Sequence, residues 1–75
     1  METLRELSIG GDAIIVKVCA KGGLFSRLSE LGMTKGSPVC CLFCAPGGNP
    51  RAYLVCGAVI AIRNADAEKV WIETK

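Results

Sequence analysis

The stretch Gly22-Gly23-Leu24-Phe25-Ser26-Arg27-Leu28-Ser29-Glu30-Leu31-Gly32-Met33-Thr34-Lys35-Gly36 decides how this chain folds. Leu24, Leu28 and Leu31 recur at the spacing that stacks apolar side chains on one face of an α-helix. Gly32 follows the last of them and suits the left-handed position after a final helical turn. Gly36 then closes a turn before the apolar run from Val39. The spacing predicts one short helix, from about Leu24 to Leu31, inserted between two strands. No Ser, Thr, Asp or Asn stands at its start, so glycine flexibility sets the entry.

Both flanks read as strands. Gly10-Gly11-Asp12 is a turn, and Ala13 to Ala20 alternates, with Ile14, Val16 and Val18 as the expected core face and Ile15, Lys17 and Cys19 opposite. Pro38 to Ala45 forms a second strand. It ends at Pro46-Gly47-Gly48-Asn49-Pro50, where the prolines fix φ and remove amide donors, which makes a loop. Ala52 to Cys56 and Ala58 to Ile62 are two more strands around Gly57, with Tyr53 and Val55 sharing a face. Asn64 to Lys69 reads as one helical turn capped by Asn64, with acids early and Lys69 late. Val70 to Glu73 is the last strand. Short strands with frequent turn signals point to a small barrel, which would remove the exposed edges of a flat sheet.

Seventy-five residues make one domain with one core. The 51% hydrophobic fraction is high, yet the longest uncharged stretches, Ser37 to Pro50 and Ala52 to Ile62, contain Gly or Pro and fall short of the roughly 20 apolar residues a spanning helix needs. Direct membrane insertion is not expected. Met1 to Leu7 carries charges where a signal peptide needs an apolar run, so the expected location is the cytoplasm. Five cysteines, an odd number with Cys40 and Cys41 adjacent on a strand, read as reduced thiols rather than a disulfide framework. The net charge of +2 is too small to imply a nucleic-acid partner. Six basic residues (Lys17, Lys21, Arg27, Lys35, Arg51 and Arg63) face Glu30 alone between Ala13 and Arg63, which leaves a modest positive face for an acidic protein surface.

The helix cassette, with Leu31-Gly32-Met33 and Gly36 in order, resembles that of the ferrous iron transport protein A (FeoA) family. Ala45-Pro46-x-Gly48-x-Pro50 is similar to the family's loop, and Ile60-Ala61-Ile62-Arg63 followed by Ala67 to its strand and short helix. Asn49 stands where an acidic residue is common in that loop, and Gly47 where a larger apolar one is often seen. The resemblance covers nearly the full length. It implies a mainly β fold, an SH3-like barrel of five to six strands with an inserted helix. It also implies a non-enzymatic accessory role, docking on the cytoplasmic part of a membrane ferrous iron transporter GTPase. Two alternatives share the fold: a detached SH3-like regulatory domain of a metal-dependent repressor, and a small RNA-binding barrel.

No residue pattern points to catalysis or to a cofactor. The chain has no histidine to activate Ser8, Ser26, Ser29 or Ser37. Neither Gly-Gly pair is followed by the Lys-Ser/Thr of a phosphate loop. Cys41-Leu42-Phe43-Cys44 has metal-pair spacing, but on a regular strand residues three apart point to opposite faces, so no metal site is expected. The helix offers more. Phe25 falls at one edge of the leucine stripe beside Ser29, and Arg27 flanks the other side. Phe25 and Arg27, with Leu24 and Met33, are the candidate docking residues. Leu28, Leu31, Gly32, Gly36, Pro46, Gly48, Pro50 and Ala67 are expected to serve the fold.

Overall fold

The computed structural model describes residues 2–74. Six antiparallel strands form a single sheet: β1 (Glu2–Thr3), β2 (Asp12–Val18), β3 (Pro38–Cys44), β4 (Arg51–Val55), β5 (Ala58–Ile62) and β6 (Val70–Thr74), in the spatial order β1-β6-β2-β3-β4-β5. Helix α1 (Gly22–Glu30) is inserted between β2 and β3, and α2 (Asn64–Ala67) between β5 and β6. The expected mainly β architecture with an inserted helix is therefore present, and α1 begins two residues before Leu24.

A 3-10 turn over Leu4–Glu6, not read from the sequence, follows β1 and places Leu4 and Leu7 in the core. Glu6 Oε1 accepts the backbone N–H of Thr3 at 2.9 Å and its hydroxyl at 3.0 Å, which holds the Glu6 carboxyl below the usual range. Arg51 fastens the same turn to β4. It donates to the carbonyls of Arg5 and of Leu7, the latter at 2.6 Å, and lies 5.9 Å over the Tyr53 ring. Tyr53 itself is fully buried, and its hydroxyl donates to the Leu4 carbonyl at 3.2 Å. Arg51 is thus engaged inside the fold and does not belong to a free basic face.

Three sequence expectations are corrected. The core face of β2 is Ala13 and Ile15, not the Ile14, Val16 and Val18 set. Ala13 to Val16 are all apolar, so alternation gives no contrast there, and a bulge between Ile15 and Lys17 shifts the register against β6 so that Val18 packs on the core again. Asn64 does not cap α2 with its side chain. It is the first helical residue, and Arg63 occupies the cap position. Asn49 Oδ1 accepts the Asn64 N–H at 3.0 Å, while Asn64 Nδ2 donates to the Gly48 carbonyl at 3.0 Å. The loop from Pro46 to Pro50 is thereby tied to α2. Lastly, the sheet keeps an open edge at β5, which among the described residues pairs with β4 alone.

Candidate functional site

Helix α1 lies beside that open edge, and its two flanks build different surfaces. On one flank a groove of about 680 Å³ runs between α1 and the end of β5, lined by Leu24, Arg27 and Leu31 on the helix side and Ala61, Ile62 and Arg63 on the strand side. Arg27 Nη2 donates to Asp66 Oδ2 at 3.0 Å across it. On the other flank Phe25 and Ser29 border a notch of about 150 Å³ with Val18 and Met33 at its base. Leu28 is buried between the two. This follows from the helical period: positions 25 and 27 lie roughly 200° apart around the axis.

The structure therefore does not unite Phe25 and Arg27 in one patch. Phe25 is 47% exposed and Leu24 half-buried. Met33, a candidate docking residue by sequence, is fully buried, because the chain turns inward after Gly32 and inserts the thioether into the core. Of the residues expected to serve the fold, Leu28 and Ala67 are fully buried and Leu31 packs against the core from its edge. Gly32 has φ +92°, and a Cβ there would meet Cys56 Sγ at 2.8 Å. Gly36 and Gly48 also have positive φ, and Pro46 and Pro50 bracket the loop that Asn64 holds.

The ground for separating Cys41 from Cys44 does not hold. A bulge between Cys41 and Phe43 places Cys41 opposite Tyr53 and Cys44 opposite Arg51, two positions on one face of β4. Burial is the main cause that pushes the Cys41 thiol up, and Cys44 adds to it against the opposing pull of Arg51. All five cysteines are free. Among the described residues no three His, Cys, Asp or Glu side chains converge on a possible metal position. Nor is any helix there long and apolar enough to cross a membrane.

A family model described as the FeoA domain matches residues 2–74. The chain belongs to the FeoA family. It is 33% identical over 70 residues to an Fe(2+) transport protein A/Fe(2+) transporter FeoB fusion protein of Porphyromonas gingivalis, covering 93% of this chain and 8% of that protein. The chain thus spans less than a tenth of that relative's length. Among solved structures, FeoA of Stenotrophomonas maltophilia, crystallised with zinc and described as an SH3 domain protein, matches with a TM-score of 0.86 at 31% identity, covering 97% of this chain and 91% of that one. A manganese-dependent transcriptional repressor shares the fold alone, with a TM-score of 0.87 at 12% identity over 99% of this chain and 41% of its own. The mainly β, SH3-like FeoA fold with its helix cassette and loop is what the sequence led us to expect.

Proposed function

We propose that this FeoA-family protein is a non-enzymatic cytoplasmic accessory subunit of ferrous iron uptake that docks on the cytoplasmic part of a membrane iron-transporting GTPase. The observation that carries the reading is the Porphyromonas gingivalis relative, in which a region similar to nearly this whole chain shares a polypeptide with an Fe(2+) transporter FeoB. Two modules that occur in one chain are held at high effective concentration, which suits an association that separate chains make by affinity.

The exposed surfaces support docking more than chemistry. A groove bordered by a helix, two arginines and half-buried leucines offers the arginine that protein contacts favour beside apolar surface, whereas an active site needs an acid or base beside a nucleophile. Leu24 and Arg27 face the groove and Phe25 stands on the opposite flank as a second, separate anchor.

The test is a titration of the purified protein against the solubilised FeoB-type transporter and against its soluble nucleotide-binding domain alone, at low and moderate salt. Saturable binding weakened by Arg27→Ala is expected. An absence of binding to either would overturn the docking role.

A further inference from the structure

The edge of β5 is unusually bare. The β4–β5 hairpin turns through Cys56 and Gly57, both with positive φ (51° and 79°), and its closing pair is Val55 with Ala58. In a two-residue hairpin of this kind the closing pair exchanges both hydrogen bonds, and bonded and unbonded pairs alternate from there. Ala58, Ile60 and Ile62 therefore bond to β4, while the amides and carbonyls of Val59 and Ala61 point to the open side. Among the described residues no loop or helix backbone bonds to them. Natural edges are blunted by charge, proline or a bulge, and Ala58-Val59-Ile60-Ala61-Ile62 has no charge, no proline and an unbroken register.

We propose that this edge takes one extended segment of the transporter partner as a seventh strand, seated between β5 and α1, with apolar side chains at alternate positions and an acidic side chain beside Arg27 and Arg63. The proposal rests on the docking reading and names the form of the contact. Three features select this occupant. The groove of about 680 Å³ opens beside the Ala61–Ile62 end of the strand edge, where an added strand would enter. Leu24 and Leu31 give it an apolar inner side, being half-buried and packed against the core as Ile60 of the strand also is, while on the outer face Val59 is 59% exposed beside Leu54, its partner in the register. Its charge is positive: Arg27, Arg63 and Asp66 line it, and Asp66 is already held by Arg27. A second copy's β5 would bring no acidic side chain to the two arginines.

Amide hydrogen exchange on the full chain, alone and with the solubilised FeoB-type transporter, tests this directly. Slowed exchange at the Val59 and Ala61 amides in the complex is expected. Ala61→Pro, which removes an outward-facing donor where an edge strand tolerates proline, should lower affinity by about tenfold with the melting transition retained. Val59→Lys gives a second variant with the same expected loss should the proline disturb the fold. Binding with these amides unprotected, and with both variants binding as the parent does, would sink strand addition and leave docking standing. No binding at all would remove the docking reading and this proposal with it. Protection that grows with concentration in the chain alone would assign the edge to a second copy and overturn the partner named here.

Discussion

Arg27 and Asp66, 39 residues apart, meet at 3.0 Å and join α1 to α2 across the groove. Their side chains are 61% and 20% exposed, so solvent screens the pair and its share of stability is at most about 1 kcal/mol. Arg27→Ala should leave melting nearly unchanged and weaken transporter binding, with the difference shrinking as salt rises. Asp66→Asn should act the other way, since it frees the guanidinium for an acidic partner. Paired melting and binding curves for the two variants check both signs.

Gly32 and Gly36 offer a matched comparison. Both have φ near +90° (92° and 91°), where a side chain costs roughly 1 kcal/mol. Only at Gly32 would the added Cβ meet atoms, namely Cys56 Sγ at 2.8 Å and Val55 Cγ1 at 3.4 Å, whereas nothing lies within 4 Å of Gly36. Gly32→Ala should therefore lower the melting temperature more than Gly36→Ala, and Gly32→Val more again. Equal losses at the two positions would show that backbone strain alone governs the turn.

Much of this was legible in the sequence because the helix carries its own signal. The leucine spacing, the glycine stop and the angular separation of Phe25 from Arg27 depend only on the helical period, and the structure places them accordingly. What could not be read depends on partners far along the chain. Nothing local at Ile14 to Val16 distinguishes the inward side chains, because all are apolar, and the bulges near Val16 and Leu42 arise from pairing with β6 and β4. The hydrogen bonds between the Gly48-Asn49 loop segment and Asn64, and those of Arg51 to the N-terminal turn, likewise join distant segments. The bareness of β5 was hidden for a further reason. Its apolar sequence reads simply as a strand, and only the order of strands in the sheet shows that, among the described residues, one side has no neighbour.

Tyr53 should make the domain sensitive to alkali. Burial is the main cause that pushes its hydroxyl up to about 12 from the ordinary 10.0, against the partial relief of Arg51 nearby. The folded state thus holds this proton more tightly than the unfolded one. The resulting stability is fully present below pH 10 and is lost as pH rises towards 12. As the chain has one tyrosine, phenolate absorbance reports this group alone. Its titration should lie well above that of free tyrosine and coincide with unfolding, and Tyr53→Phe should flatten the pH dependence of melting in that window while losing the hydrogen bond to Leu4.

The cysteines should divide by burial. Cys19 and Cys56 are exposed, Cys41 is fully buried with its thiol pushed up, and Cys40 is half-buried and raised by desolvation with Asp12 beside it. Since thiolate is the reacting form, a thiol reagent at neutral pH should modify Cys19 and Cys56 quickly and Cys41 only on unfolding. The shared face of Cys41 and Cys44 makes metal binding a necessary companion measurement. With a buried, raised thiol and two sulfur ligands only, Zn(II) or Fe(II) should bind weakly. Tight stoichiometric binding abolished by Cys41→Ser would refute this.

The two flanks of α1 and its buried centre should separate cleanly by mutation. Leu28 is fully buried, and Leu28→Ala should cost about 2 to 5 kcal/mol, a large part of the stability of so small a domain. Structure and transporter binding should be lost together. Phe25 is 47% exposed, so Phe25→Ala removes less packing and should shift melting only slightly. If Phe25 is a second anchor, binding falls in that variant, and the loss should add to that of Arg27→Ala, because the two side chains line separate grooves on opposite flanks. A double-mutant cycle on binding measures this. Additive losses place the partner across the whole helix, while an effect of Arg27 alone confines the contact to the groove and the β5 edge and leaves Phe25 as a cover over Met33.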